Sequence, residues 1–212
     1  MHKPLVLLFV AAALPLSGAA LADMNYSYIQ ADLLGAHLGS EFNGISGAGV
    51  GLQGSAGIGS HLFGFAGYGN ARYAGDGVKF RFVPVSLGLG AHVSLSPTIN
   101  LFGGASVERL RVKKGLVGYG GYTESESFDG WGVDIGLRGW IGESFQWNAG
   151  VKHRDLKDLQ ALTSITAGGR YFFSARFSLG MEFTYQKYDN QFLLARDSVG
   201  SLNFRYGFRS DN

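Results

Sequence analysis

Cysteine is absent from the 212 residues. No disulfide can staple the fold, and thiol redox chemistry and cysteine metal sites are excluded. Proline is scarce, at 4 residues, and after Ala22 no run approaches the roughly 20 apolar residues that a membrane-spanning helix requires. Charge of one sign is missing too. The chain holds 18 Lys and Arg against 16 Asp and Glu, a formal net charge of +2. That balance argues against a general nucleic-acid footprint, so no nucleic-acid partner is expected. His37, His61 and His153 are scattered without ligand spacing, so neither a metal site nor a cofactor is expected.

What the chain has in abundance is glycine, 34 residues of it, spread through alternating apolar runs with no collagen period and no low-complexity block. The N-terminus has the layout of a secretory signal peptide. Lys3 is the charged start, residues 5–16 are the apolar run, and Ala20-Leu21-Ala22 is the small-residue cleavage site. An uncleaved membrane anchor is the alternative. The expected organisation is a signal peptide at 1–22 and one domain at 23–212.

Strand periodicity runs through that domain. In the last segment, 198–208, Leu202, Phe204, Tyr206 and Phe208 alternate with Ser201, Asn203, Arg205 and Gly207. Side chains of a strand point to opposite faces with period two. One face is therefore greasy and the other polar, which suits a barrel with lipid outside and water inside. Similar segments lie at 25–38, 47–58, 62–73, 80–95, 99–113, 128–142, 145–154, 162–173 and 176–188. In 80–95, Val83, Val85, Leu87, Leu89, Ala91, Val93 and Leu95 oppose Pro84, Ser86, Gly88, Gly90, His92 and Ser94, with a bulge expected to accommodate Pro84. In 62–73, Phe63, Phe65, Ala71 and Tyr73 are set outward against Gly64, Tyr68, Asn70 and Arg72. Connections after the even-numbered segments are short, and those after the odd-numbered ones are longer, led by 114–127. Gly75-Asp76-Gly77 is a strong hairpin signal. The pattern predicts an all-β, antiparallel, up-and-down transmembrane barrel of ten strands, with eight as the alternative count. Short turns belong in the periplasm and longer loops outside. A water-soluble barrel would need the apolar set inside and the polar set outside.

The closing alternation ending on Phe208 resembles the C-terminal signature of bacterial outer-membrane barrels, except that four residues, 209–212, follow it. The opening Tyr26-Ser27-Tyr28-Ile29, the hairpin ending Leu101-Phe102-Gly103-Gly104 and the strand Gly130-Trp131-Gly132-Val133 also resemble the small ten-stranded barrels grouped with the OmpA- and OmpX-like proteins. The resemblance implies an integral protein of the Gram-negative outer membrane, exported by a cleaved signal peptide and expected to be monomeric. Its implied partners are the outer membrane with its lipopolysaccharide, and the barrel-assembly machinery, which would bind the strand carrying Leu202, Phe204, Tyr206 and Phe208. It says almost nothing about activity.

Two charge sets follow from parity. Asp32, Arg72, Glu108, Asp134, Arg138, Lys152, Arg154, Arg170, Glu182 and Arg205 are expected to point into the lumen, with Asp134 close to Lys152 and Asp32 in the same half as Arg205. In a narrow barrel they either plug the interior or line a selective path. Lys79, Arg81, Arg109, Arg111 and Lys113 are expected to point outward as one basic patch at the extracellular end. That patch either meets lipopolysaccharide phosphates, which suit bidentate arginine, or is a solvated strand extension.

Two apparent motifs carry little. His92 and Ser94 have the spacing that some outer-membrane lipid A deacylases use with a carboxylate, but their parity is inward and their place is by the turn at 96–98. Gly49 to Gly54 matches G-x-G-x-x-G inside a strand, where no helix follows to hold a phosphate. No catalytic residue is assigned. The expected protein is non-enzymatic, with a polar, largely plugged lumen, serving envelope integrity or surface interaction. A narrow porin-like channel is the main alternative and a lipid A-modifying enzyme a lesser one.

Overall fold

A computed structural model describes residues 24, 26–38, 45–75, 77–118, 121–188 and 196–208. The signal peptide and its cleavage site, Asp76, Tyr119, most of the loops at 39–46 and 189–197, and the tail at 209–212 lie outside the described residues. The strands are β1 (Tyr28–Leu38), β2 (Ser46–Ile58), β3 (Leu62–Gly75), β4 (Val78–Ser96), β5 (Ile99–Leu116), β6 (Glu124–Ile141), β7 (Phe145–Leu156), β8 (Gln160–Phe172), β9 (Phe177–Tyr188) and β10 (Arg196–Gly207). Each pairs antiparallel with its sequence neighbours, and β1 pairs with β10 to close the barrel. The count is ten, not eight.

Closure removes every free sheet edge. It also puts Tyr28 opposite Gly207 and the amide of Phe208 on the carbonyl of Ser27, so both ends of the barrel domain lie at one rim. We call this the terminus end, and the opposite rim the loop end. Gly59, Gly77 and Gly142 turn the chain with positive φ (66°, 76° and 63°), where a side chain would be strained.

The outer surface follows the sequence alternation. Leu33, Leu87, Leu89 and Val107 are among the most exposed large residues, Leu89 at 67%. This is the surface that a hydrocarbon solvent accepts and water does not. An arc of outward rings borders it at the terminus end: Phe177 lies 5.0 Å from Tyr206 and 5.8 Å from Phe204, and Tyr206 lies 5.3 Å from Phe208. Aromatic residues at such a border match the girdles of membrane barrels.

Three expectations change. First, the inward face of β3 is Phe63, Phe65, Ala71 and Tyr73. Phe63 and Tyr73 are buried, whereas Leu62 and Tyr68 are exposed. Arg72 therefore stands outside. The physical reason is room. Gly90 leaves a gap that the Phe63 ring fills, and Gly47 leaves one for Tyr73. Second, the β3–β4 register is the same on both sides of Pro84, and the irregularity in β4 falls at Ser94/Ser96 instead. Third, the longer strands absorb two of the expected long loops. Only 76–77 separates β3 from β4 and only 157–159 separates β7 from β8. β4, β5 and β6 run 19, 18 and 18 residues. A membrane strand needs only about 9–11, so these three rise past the rest at the loop end.

Candidate functional site

The lumen is braced by polar groups that reach across strands. Arg170 of β8 is one hub. Its Nη2 donates to Gln30 Oε1 of β1 at 2.8 Å and to Asn203 Oδ1 of β10 at 2.6 Å, and its Nη1 donates to Ser178 Oγ of β9 at 3.2 Å. Ser178 is 0% and Asn203 1% exposed. Arg205 donates from Nε to the same Gln30 oxygen at 2.9 Å and lies 3.7 Å over the Tyr28 ring. Gln30 and Gln53 donate to the two Asp32 oxygens at 2.7 and 3.1 Å. Asp32 thus shares a network with Arg205 through Gln30, as the closure of β1 on β10 requires.

Glu108 of β5 is the second hub. Lys152 Nζ is 2.6 Å from its Oε1, Ser106 donates to the same oxygen at 2.7 Å, and Arg154 Nε is 3.9 Å from Oε2. Asp134 is directly opposite Lys152 in register, as expected, yet the ammonium passes over β6 to Glu108. The reason is Gly132, which leaves the intervening wall bare. Asn148 donates to Glu182 at 3.4 Å.

Arg138 works with rings. It lies 4.9 Å over Tyr26 and 5.5 Å over Phe102. Tyr26 stacks on His92 at 4.0 Å and 9°, and on Phe63 at 4.8 Å. Tyr26 lies just ahead of β1, and its ring enters the mouth at the terminus end, where it touches residues of β3, β4 and β6. Parity carried back through the segment 25–38 puts Tyr26 on the face of Asp32, but it does not say which residues the ring meets. His92 is held within this stack, on the lumen side, which is no place for an outer-leaflet esterase. Ser94 follows it toward the turn. The stretch Gly49 to Gly54 lies inside β2. Among the described residues, no group of three His, Asp or Glu could hold a metal.

The lumen is not polar throughout. At the loop end Ile45, Tyr73, Phe80 and Phe82 pack together. Leu156 and Leu162 are also buried. Between this apolar cap and the Tyr26 stack lies a cavity of about 500 Å³, reached by Asp32, Asp134, Lys152, Arg170, Glu182 and Arg205.

The outer basic set is where parity put it, with one addition. Straight across the sheet, Arg72 pairs with Arg81 and Arg81 with Lys113. One row nearer the apolar band, Val83 pairs with Arg111. The next row holds Val85, Arg109 and Asp129. Arg109 grips Asp129 with Nε and Nη2 at 2.5 and 2.9 Å. Lys79 lies 5.4 Å over the Tyr122 ring. At the other rim Leu202, Phe204, Tyr206 and Phe208 all stand on the outward face.

No protein-family model and no curated protein matches the chain. Solved structures match it by fold. The NanC porin aligns with a TM-score of 0.51 at 10% identity, over 84% of this chain and 100% of that one. Neisserial surface protein A aligns with a TM-score of 0.48 at 14% identity, over 85% and 96%. The transport unit of the autotransporter AIDA-I from Escherichia coli aligns with a TM-score of 0.48 at 11% identity, over 91% and 94%. At such identities the likeness is one of fold. Closed, antiparallel and apolar outside, the chain is a small β-barrel of the outer-membrane type.

Proposed function

We propose that this is a non-enzymatic, integral protein of the Gram-negative outer membrane whose lumen is largely plugged, serving envelope integrity or surface interaction. In this reading residues 1–22 are removed on export, the monomeric barrel at 23–212 is recognised by the assembly machinery through its last strand, and the terminus end faces the periplasm. The observation that carries the reading is the bracing of the lumen. Arg170 and Glu108 each reach strands that are not their neighbours, and Tyr26 fills the mouth at the terminus end. Side chains can fill a barrel of this size, unlike that of a 16-stranded porin. Hydrogen-bonded buried charges hold their places because losing a partner leaves a costly unpaired group.

Planar-bilayer conductance of the refolded protein tests it. The wild type is expected to be electrically silent, and Tyr26→Ala to show discrete openings. Steady steps from the wild type would favour the second reading, a narrow channel for ions or small solutes. One feature supports that alternative: Arg138 Nη1 is buried without a protein hydrogen-bond partner among the described residues, in a cavity large enough for water.

A further inference from the structure

The outer basic rows differ from the paired charges of the lumen. In the row Arg72–Arg81–Lys113, three cations stand side by side on adjacent strands, facing out. Neighbouring strands are ~4.8 Å apart, and like charges directly opposite one another are destabilising. Arg111 joins them one row down. Arg81 donates to Asn70 at 2.9 Å and Arg111 to Ser127 at 3.4 Å, both neutral partners. Among the described residues no carboxylate pairs with Arg72, Arg81, Arg111 or Lys113, whereas Arg109 has Asp129. Glu124 and Glu126 lie opposite Lys114 and Val112, on the other face of the sheet.

A groove lies beside these rows. Gly121 and Tyr122 form a flap over the outside of the sheet: they and Lys79 crowd the outward-pointing Gly115, which is buried beneath them. The groove between this flap and the outer face of β2 and β3 at the loop end is about 650 Å³. Arg72, Lys79 and Tyr122 wall it, and Ser46, Ala48 and Ala74 lend it small side chains. Directly below Ala48 on the same face, Val50 and Leu52 are exposed and apolar. The cations therefore sit immediately above the apolar band, where a charged side chain costs far less than at the bilayer midplane.

We propose that this rim is a binding site for the phosphorylated headgroup of lipopolysaccharide. Its phosphates lie between Arg72, Arg81, Arg111 and Lys113, its sugar enters the Lys79–Tyr122 groove, and an acyl chain runs down the Ala48–Val50–Leu52 stripe. Arginine's planar fork grips phosphate oxygens in pairs. A soluble anion would gain the same contacts but would leave the apolar stripe unused. The inference rests on the outer-membrane reading above.

The test uses the full mature barrel refolded into phosphatidylcholine nanodiscs and titrated with diphosphoryl lipid A or its dephosphorylated form, bound lipid being counted by native mass spectrometry. Insertion is checked first by the different migration of boiled and unboiled protein. A wild type that does not insert overturns the membrane reading and this proposal with it. An inserted wild type is expected to prefer the diphosphoryl form by ~10-fold or more, one such factor being the equivalent of about one charged contact. The triple variant Arg72→Gln, Arg81→Gln, Lys113→Gln should lose that preference while still inserting. Arg109→Gln, whose cation already has a partner, should keep it. Equal binding of both lipids, an unaffected triple variant, or an equal loss in Arg109→Gln overturns the proposal alone. So does tighter binding of a soluble sulfated polysaccharide that displaces lipid A.

Discussion

Glu108 and Arg109 are adjacent in β5 and live in different worlds. Glu108 is buried in the lumen, held by Lys152 and Ser106, with Arg154 close by. Arg109 is on the outer face, more than half exposed, with one exposed acid for a partner. The same contrast separates the two charged regions as wholes. Inside, cations and anions from five or more strands converge on a few shared atoms, because a closed wall turns every inward side chain toward a common axis. Outside, the wall turns side chains apart. A cation there is met only by near neighbours on the wall, as Arg81 is by Asn70 and Lys79 by Tyr122, or by something that is not protein. Paired charges inside thus act as structure, whereas Arg72, Arg81, Arg111 and Lys113 outside have no carboxylate partner among the described residues.

Breaking the comparison outright means exchanging the two residues, Glu108→Arg with Arg109→Glu. This puts a third cation against Lys152 and Arg154 inside and a second carboxylate against Asp129 outside. An uncompensated buried charge is among the costliest single defects. The double variant is expected to lose the fast-migrating folded band on unboiled gels altogether.

Removing one hub comes next. Arg170→Leu takes its donor from the Asn203 and Ser178 oxygens and leaves the Gln30 oxygen with Arg205 alone. A loss of ~2–4 kcal/mol is expected, within the range for stranding several buried polar groups in a lumen that water can enter. Urea titration of folding into lipid vesicles, followed by tryptophan fluorescence, measures it.

Glu108→Gln should cost less, ~1–3 kcal/mol in the same titration, because an amide still accepts from Ser106 while Lys152 loses its counterion. A matching Lys152→Met change on top should recover part of that loss. If the two losses simply add, the pair is not acting as a pair.

The smallest effect sharpens the contrast from the other side. Arg109→Gln removes a bidentate but exposed ion pair, a kind that contributes little to stability. The urea midpoint should not move measurably. A large shift would mean that the outer rows are structural as well, and that the division drawn between the two regions is wrong.

Much of this architecture was legible from residue order. The alternation of Leu202, Phe204, Tyr206 and Phe208 against Ser201, Asn203, Arg205 and Gly207 dictates which face is which, and the structure keeps it. Repeated ten times with turns between, the alternation determines an antiparallel barrel with its apolar face outward, and it places nine of the ten lumen charges and all five expected outer cations on their observed faces. It failed at β3. There Phe63, Phe65 and Tyr73 oppose Gly64, Tyr68, Asn70 and Arg72, so the alternation sent the aromatic set outward, whereas the structure holds it inside. Only the tertiary structure decided, because gaps at Gly47 and Gly90 on the neighbouring strands receive Tyr73 and Phe63 on the lumen side. That choice sent Arg72 out to complete the basic row. The tertiary structure alone also settled which charges meet. Register places Lys152 against Asp134, but a long side chain crosses a bare glycine wall to Glu108, and Tyr26, just ahead of β1, meets His92, Phe63 and Arg138 in the mouth. Period two is a property of one strand and survives in any barrel. Who touches whom across the lumen depends on closure, and closure exists only once all ten strands are in place.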